Sequence, residues 1–291
     1  MNNDYYRFKV GDFRCTVVSD GFYTYGPPNF PPAEYCVFVN APKESIPSIL
    51  KNHDLPVPWV EWVNPYNCLV IDTGKHLVLV DTGAGGLAPT TGKLLENLKA
   101  ADISSDDIDI VIITHGHPDH LGGNIDAEEK PAFPGARYII SKDEWTFWTS
   151  GEAERKVAEH SRRILVDTAL KNLLPLQKQV EKVDGEREIV TGISLIKVPG
   201  HTPGQIALDI ISRNERLFYV SDAVLHPVHL ERPEWFSIFD IDPEIMVKSR
   251  LKILERVSME KTLVFVFHFS FPGLGRVYKE GKAYRWEPLN I

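Results

Sequence analysis

One short segment constrains this chain more than any other, namely His115-Gly116-His117-Pro118-Asp119-His120. It places three imidazoles and one carboxylate within six positions. It directly follows the apolar run 108–113, which predicts a buried strand. Since one metal ion cannot easily accept four ligands from so short a loop, the spacing predicts two adjacent metal sites.

Three further apolar runs also end in a potential ligand. Runs 193–198, 216–220 and 262–267 are followed by His201, Asp222 and His268. An isolated histidine is more often a core or loop residue than a metal ligand. The repeated position at the carboxyl end of a predicted strand favours the ligand interpretation for all of them.

Taken together, these elements resemble the metallo-β-lactamase-fold hydrolase superfamily. The matching segments are 79–83, 115–120, 200–204, 221–222 and His268, which occur in the family's order within residues 65–275. The resemblance implies two metal ions bound by seven residues. The first ion would be held by His115, His117 and His201, the second by Asp119, His120 and His268, and Asp222 would bridge both.

The resemblance also implies the fold. Periodicity alone predicts a mixed α/β class, whereas the family has a four-layer αββα sandwich. We expect a single domain over residues 1–291. Residues 21–62 are rich in proline and aromatic residues and predict an irregular N-terminal arm. Residues 142–182 predict a mostly helical insertion between the second and third ligand elements.

Composition narrows the possible partners. The net charge of −8 argues against a nucleic-acid partner, which would require a basic surface. Three cysteines do not suggest a disulfide framework. The N-terminus lacks the features of a signal peptide, and no apolar stretch approaches the roughly 20 residues of a membrane span. We expect a cytoplasmic enzyme that acts on a small molecule without a membrane partner.

The ligand set predicts hydrolytic chemistry. Two divalent metals can share a bridging hydroxide and polarise a carbonyl or phosphoryl oxygen. Asp119 is the candidate catalytic residue, because it could orient that nucleophile and carry a proton. The resemblance favours zinc, although manganese, iron or cobalt also suit such ligands. Esters, lactones and phosphoesters are the expected substrates. The alternatives are a signalling or regulatory module with little turnover and a thioester hydrolase of the glyoxalase type.

Individual positions favour one branch of the superfamily. His117 stands where di-iron redox members have glutamate, so it favours hydrolysis. The β-lactamases of this fold lack the bridging carboxylate, whereas this chain has Asp222 at that position. The overall pattern is closest to the branch of methyl parathion hydrolase and lactonases. Quorum-signal lactonases carry a tyrosine three residues after the bridging aspartate, where this chain has Leu225.

Several residues outside the ligand set also receive a role. Asp81 follows a predicted strand, and we expect it to hydrogen-bond the ligand loops without binding metal. We expect the arm to cover the pocket or to form a homodimer interface. Trp145 and Trp148 lie three residues apart and predict either an aromatic pocket wall or core packing. The candidate substrate-pocket residues are Phe22, Trp145, Trp148, Leu225 and His226.

Overall fold

The first β-sheet is built from strands within residues 5–183. The computed structural model describes residues 4–290, apart from the side chain of His160. Strands β1 to β4 pair antiparallel, and β4 to β7 pair parallel, in sequence order. The strands are β1 (Tyr5–Val10), β2 (Phe13–Tyr25), β3 (Trp62–Asp72), β4 (Leu77–Val80), β5 (Ile110–Ile113), β6 (Arg137–Ser141) and β7 (Val180–Val183).

The second sheet also has seven strands, in the order β14-β13-β12-β11-β10-β9-β8. Strands β11 and β12 run parallel, and the other neighbours in this sheet are antiparallel. The strands are β8 (Arg187–Val190), β9 (Ile193–Lys197), β10 (Ile206–Ser212), β11 (Glu215–Tyr219), β12 (Leu263–Phe265), β13 (Leu274–Glu280) and β14 (Ala283–Pro288).

The two faces of the second sheet are both buried. Since side chains alternate along a strand, Leu208 of β10 and Leu217 of β11 enter a core cluster shared with the first sheet. Their neighbours Ala207 and Phe218 enter a second cluster with α9 (Pro243–Glu260). The sheet therefore lies between the first sheet on one side and α9 on the other.

Helices also pack on the first sheet. Helix α3 contacts β1 and β2, and α5 contacts β6 and β7. The remaining helices before α9 are short, apart from α7. The bounds are α1 (Ala33–Val37), α2 (Ile46–Asn52), α3 (Leu94–Ala100), α4 (Pro118–Leu121), α5 (Lys142–Thr149), α6 (Glu152–Lys156), α7 (Glu159–Leu173) and α8 (Val228–Glu231). This arrangement confirms the predicted αββα sandwich.

Residues 142–182 are mostly helical, as predicted, except at their C-terminal end. Helix α7 ends at Leu173, and Val180–Val183 form β7. Strand β7 pairs with β6 in parallel, so a partner distant in sequence decides its conformation. None of the described helices is long and apolar enough to cross a membrane. The cytoplasmic location and the single domain both stay predictions.

The arm is more regular than predicted. Its first residues, 21–25, extend β2, and α1 and α2 follow before β3 begins at Trp62. Its buried side chains form a third apolar cluster with Leu225, Val228 and Trp235. These three residues belong to the segment after Asp222, so the arm packs beside the candidate ligands. The burial of these apolar side chains orders a stretch that has little periodicity of its own.

Candidate metal centre

The loops after four strands deliver the candidate ligands. The loop after β5 carries His115 and His117, and the short α4 carries Asp119 and His120. The other three follow β9, β11 and β12. Asp119 is the most exposed of the seven residues at 8%, whereas His115 and His120 are fully buried. The fold therefore brings together all seven residues singled out from the sequence.

Their ligand atoms converge in three overlapping groups. Within each group, the ligand atoms lie no more than 4.8 Å apart. The groups are His115, His117 and His201; His115, His120 and Asp222; and Asp119, His120 and His268.

Asp222 lies at the centre of this arrangement. Its Oδ1 is 3.2 Å from the Nε2 of His120. Its Oδ2 is 3.1 Å from the Nε2 of His268 and 3.3 Å from that of His201. The Nε2 of His115 lies 3.7 Å from the same oxygen. One carboxylate thus faces imidazoles of both predicted metal sites.

Several polar atoms of the site lack a hydrogen-bond partner, and these atoms indicate whether the site fits metal ions. The Nε2 atoms of His115 and His120 and the Oδ1 of Asp222 are buried and make no hydrogen bond. A buried polar atom without a partner is costly, so it normally has a protein, water or metal partner. Nitrogen and carboxylate donors at this spacing suit divalent transition metals. The donor set therefore fits two such ions.

Hydrogen bonds to groups outside the ligand set orient four of the five imidazoles through their Nδ1 atoms. Such contacts turn the opposite nitrogen, Nε2, toward a metal. The pairs are His115 with Thr114 Oγ1 at 3.2 Å, His120 with Asp81 Oδ2 at 2.8 Å, His201 with Asp240 Oδ1 at 2.8 Å, and His268 with the Pro65 carbonyl at 3.2 Å.

Asp81 supports more than one ligand element. Besides His120, its carboxylate accepts hydrogen bonds from the backbone N–H and the hydroxyl of Thr114, at 2.8 and 2.9 Å. The hydroxyl of Tyr219 donates to it at 2.6 Å. Asp81 adopts a left-handed φ of 59°, which is uncommon for a non-glycine residue. These contacts correspond to the supporting role expected of this residue.

Asp240 is a supporting residue that sequence reasoning missed. It lies 39 residues after His201, and its second oxygen accepts hydrogen bonds from the backbone N–H and hydroxyl of Ser237. Burial raises the pKa of Asp240, but the hydrogen bond to His201, the charges of His201 and Arg250 and the Ser237 backbone together outweigh burial, so the net pKa is lowered. Asp240 follows the apolar segment 235–239, which forms no strand, and the sequence analysis did not single it out.

The carboxylates also control the proton affinity of the imidazoles. Burial lowers the pKa of His201, but hydrogen bonds to Asp222 and Asp240 outweigh it and raise the pKa to about 9. For His115 and His117, burial prevails and lowers the pKa well below its usual value. Burial raises the pKa of Asp222, yet the surrounding imidazoles, His120 first, hold it well below its usual value.

Metal binding to the metal-free protein is expected to release protons and to strengthen with pH, because nearby carboxylates outweigh burial and raise the pKa of both His201 and His120. A raised pKa means that His201 is protonated at pH 7, and that proton must leave before the nitrogen can bind metal. As His201 loses its proton, metal affinity should therefore rise with pH up to about pH 9 and then level off. Calorimetric titration in buffers of different ionisation enthalpy measures the proton count. Equal heats in all buffers at pH 7 would contradict this expectation.

Two of the predicted pocket residues lie in the core. Trp148 is fully buried, and its indole N–H donates to Glu144 at 2.6 Å. Trp145 is 7% exposed and packs under the ammonium group of Lys182, 4.4 Å from its ring centre. Their burial in the main apolar cluster favours the core-packing alternative for both. The Trp148 ring also lies 5.8 Å from that of the candidate ligand His117, and a pocket role for the two residues stays a prediction.

The remaining predicted pocket residues differ in their surroundings. Phe22 lies on β2 and is 40% exposed. Leu225 is buried in the arm cluster. The ring of His226 lies 5.0 Å from that of Trp59 and 6.2 Å from that of Trp62. Leu225 and His226 thus contact the arm beside the ligands, and their contact with substrate stays a prediction.

Aromatic residues of β2 and β3 approach the site directly. The rings of Trp62 and Tyr66 lie 6.2 and 5.6 Å from that of His268. The hydroxyls of Tyr66 and Tyr25 are 3.0 Å apart and buried. The sequence showed many aromatic residues here, but no spacing distinguished these three from their neighbours.

Relatives of known function share this architecture. An N-acyl homoserine lactonase of a Bacillus species is 27% identical over 260 residues, which cover 82% of this chain and 91% of the relative. The N-acyl homoserine lactonase of Bacillus cereus is 27% identical over 225 residues, covering 70% of this chain and 81% of the relative.

Solved structures agree over nearly the whole chain. The dizinc quorum-quenching lactonase AidC, in complex with a homoserine product, is 27% identical with a TM-score of 0.90. The hydrolase AbOPH of the beta lactamase superfamily is 26% identical with a TM-score of 0.88. Each match covers 99% of this chain and 98% of the other.

The family assignment rests on the part of the chain that carries the ligands. Residues 62–268 match the metallo-beta-lactamase superfamily, from the start of β3 to the last candidate ligand. The relatives are lactonases and a hydrolase, one of them a dizinc enzyme, and the buried donor set described above fits two divalent ions. This chain is a member of the metallo-beta-lactamase superfamily and a hydrolase that uses two divalent metal ions.

Proposed function

We propose that the protein is a dizinc lactonase whose substrates are N-acyl homoserine lactones or closely related lactones. The observation that carries the proposal is the position of Asp222 between imidazoles of both sites. The names of the relatives support the substrate class. In this proposal, His115, His117 and His201 hold one ion, Asp119, His120 and His268 hold the other, and Asp222 bridges them.

The bound ions would activate a water molecule and stabilise the negative charge on the oxygen of the attacked carbonyl. Asp119 is suited to handling the proton. Its Oδ2 lies 3.5 Å from the Nε2 of His268 and 3.8 Å from that of His120. It is also the most exposed residue of the set, so it can face the substrate. We assign to it the transfer of a proton from the attacking water to the leaving alkoxide.

This chain lacks the lactonase tyrosine, but the pair Tyr25 and Tyr66 can supply a hydrogen-bond donor. The Tyr25 and Tyr66 hydroxyls share one hydrogen bond, so one of the two O–H groups remains free to donate. Burial raises the pKa of Tyr25 well above its usual value, and the Asp119 carboxylate adds to this effect. The phenol therefore stays protonated. We propose that this pair donates to the lactone, in place of the residue at Leu225.

The variant Tyr25→Phe is expected to reduce kcat by about 10- to 100-fold while KM changes little, since a donor to developing charge acts mainly in the transition state. The control is Tyr23→Phe, because the Tyr23 ring packs 4.8 Å from that of Tyr25 and tests packing alone. Steady-state kinetics on a lactone substrate measure kcat and KM for the two variants. An equal loss in the two variants would count against the donor role.

The substrate class is tested by a panel of compounds assayed with the metal-loaded enzyme. The panel contains homoserine lactones of several acyl lengths, simple lactones, aryl esters, a thioester and a phosphotriester. We expect kcat/KM to be highest for an acyl homoserine lactone. A higher value for the thioester or the phosphotriester would replace the proposal with one of these alternatives. Loss of activity on chelation and its return with zinc would separate the enzyme from a module without turnover.

We also propose that the protein forms a homodimer through exposed apolar residues of the arm and of the start of β3. Val60 and Val63 are 40% and 59% exposed, and Phe22 on the neighbouring strand is 40% exposed. Contiguous exposed apolar patches commonly mark interfaces. The variant Val63→Lys is expected to shift the mass measured by light scattering from dimer to monomer. The matched control is Met259→Lys, on the exposed part of α9. A monomeric wild-type protein would contradict the proposal.

A further inference from the structure

A buried carboxylate outside the ligand set connects two ligand loops. Glu144 lies in the first turn of α5 and is fully buried. Its Oε1 accepts hydrogen bonds from the Gly116 backbone at 2.7 Å and the Trp148 indole at 2.6 Å. Its Oε2 accepts from the Thr202 hydroxyl at 2.7 Å and the Gly204 backbone at 2.9 Å. All four donors are neutral.

Two of the four donors are direct sequence neighbours of the candidate histidine ligands. Gly116 stands between His115 and His117, and Thr202 directly follows His201. The Nδ1 of His117 and the Nε2 of His201 lie only 2.8 Å apart. One carboxylate therefore holds both loops that supply the first proposed metal site, at the point where their imidazoles meet.

Close packing makes this connection rigid. A Cβ at Gly116 would lie 2.2 Å from the indole nitrogen of Trp148, and one at Gly204 would lie 2.1 Å from the backbone nitrogen of Glu144. Both glycines are thus required for the approach of the loops to α5. Burial raises the pKa of Glu144, and its hydrogen bonds oppose that effect. The group lies within one hydrogen bond of the histidine loops without touching a metal position.

We propose that Glu144 is a positioning residue that sets the distance and orientation of the three histidines of the first metal site. The inference rests on the proposed ligand roles of these histidines. It predicts that Glu144 controls the affinity of the first ion much more than that of the second. The second proposed site uses Asp119, His120 and His268, none of which hydrogen-bonds to Glu144.

The variant Glu144→Gln tests the proposal with little change in shape. A glutamine carries an NH2 group in place of one oxygen. On the Oε1 side, this group would face two donors, from Gly116 and Trp148. On the Oε2 side, the Thr202 hydroxyl could rotate to accept, but the Gly204 N–H would still face the NH2 group. Either orientation removes at least one tether between the loops.

We expect Glu144→Gln to weaken binding of one of the two zinc ions by about 10- to 100-fold, with the other changed by less than about threefold. Competition titration of metal-free protein against a zinc chelator resolves the two affinities. The visible spectrum of the cobalt-substituted protein reports the ligand geometry directly. The milder variant Thr202→Val removes one donor and should weaken the same ion by a smaller factor. It keeps the test decisive if Glu144→Gln fails to fold.

The control is Asp20→Asn. Asp20 is an equally buried carboxylate that accepts hydrogen bonds from the backbones of Ala84, Gly92 and Leu94, away from the histidine loops. The variant Asp20→Asn should reduce thermal stability without selectively changing the affinity for either zinc ion. Unchanged affinities in folded Glu144→Gln or Thr202→Val, or equal weakening in Asp20→Asn, would overturn the inference. Because no substrate is used, a wrong lactonase assignment would leave this result intact.

Discussion

The variant Asp222→Ala is expected to lose both metal ions, whereas the wild-type protein should approach two equivalents of zinc per chain, as in other two-metal sites. The Asp222 carboxylate lies 3.1 to 3.7 Å from four imidazole nitrogens of the two sites. Removal leaves these imidazoles without the anion that balances two divalent charges. Elemental analysis after dialysis against metal-free buffer measures the content.

The matched control for this variant is Asp209→Ala. Asp209 is also buried, but it lies in the middle of β10 and pairs with Arg216 and Arg256. It should lower stability and keep two equivalents of metal. Retention of both ions and of full activity by Asp222→Ala would refute the bridging role. Loss of only one ion would limit Asp222 to a single site.

The variant Asp119→Asn is expected to lower turnover by on the order of 10²-fold or more. Asparagine keeps the size of the side chain, but it has no negative charge and cannot take up the proton. Some of the loss would come from weaker metal binding, so kcat is compared at full metal occupancy, verified by elemental analysis. Asp126→Asn, in the loop that follows α4, is the control for general effects of removing a charge near this element.

The chemical course provides a second check on Asp119. Hydrolysis in labelled water should place the label in the carboxylate of the product, with no enzyme-bound intermediate. Direct attack by water requires this outcome, whereas a nucleophilic side chain would form an acyl-enzyme first. A trapped acyl-enzyme, or full turnover by Asp119→Asn at equal metal occupancy, would remove Asp119 from its proposed role.

The candidate ligands were accessible from the sequence because their signals are local. Four of them lie within six positions after an apolar run, and the other three each follow a run of their own. Apolar runs of this length predict buried strands without knowledge of their partners. The αββα layering came from the resemblance to the family, since periodicity alone predicts only a mixed α/β class.

The sequence by itself thus singled out the candidate metal-binding residues and the mixed α/β class of the fold. Only the tertiary structure decided what supports them. Asp240 reaches His201 across 39 positions, and Glu144 joins residues 28 positions before it and up to 60 after it. The burial of Trp148 and the pairing of β7 likewise depend on distant partners. Local patterns record which side chains are apolar or can bind metal. They do not record which distant groups meet, because packing and hydrogen bonding across the whole fold decide those contacts.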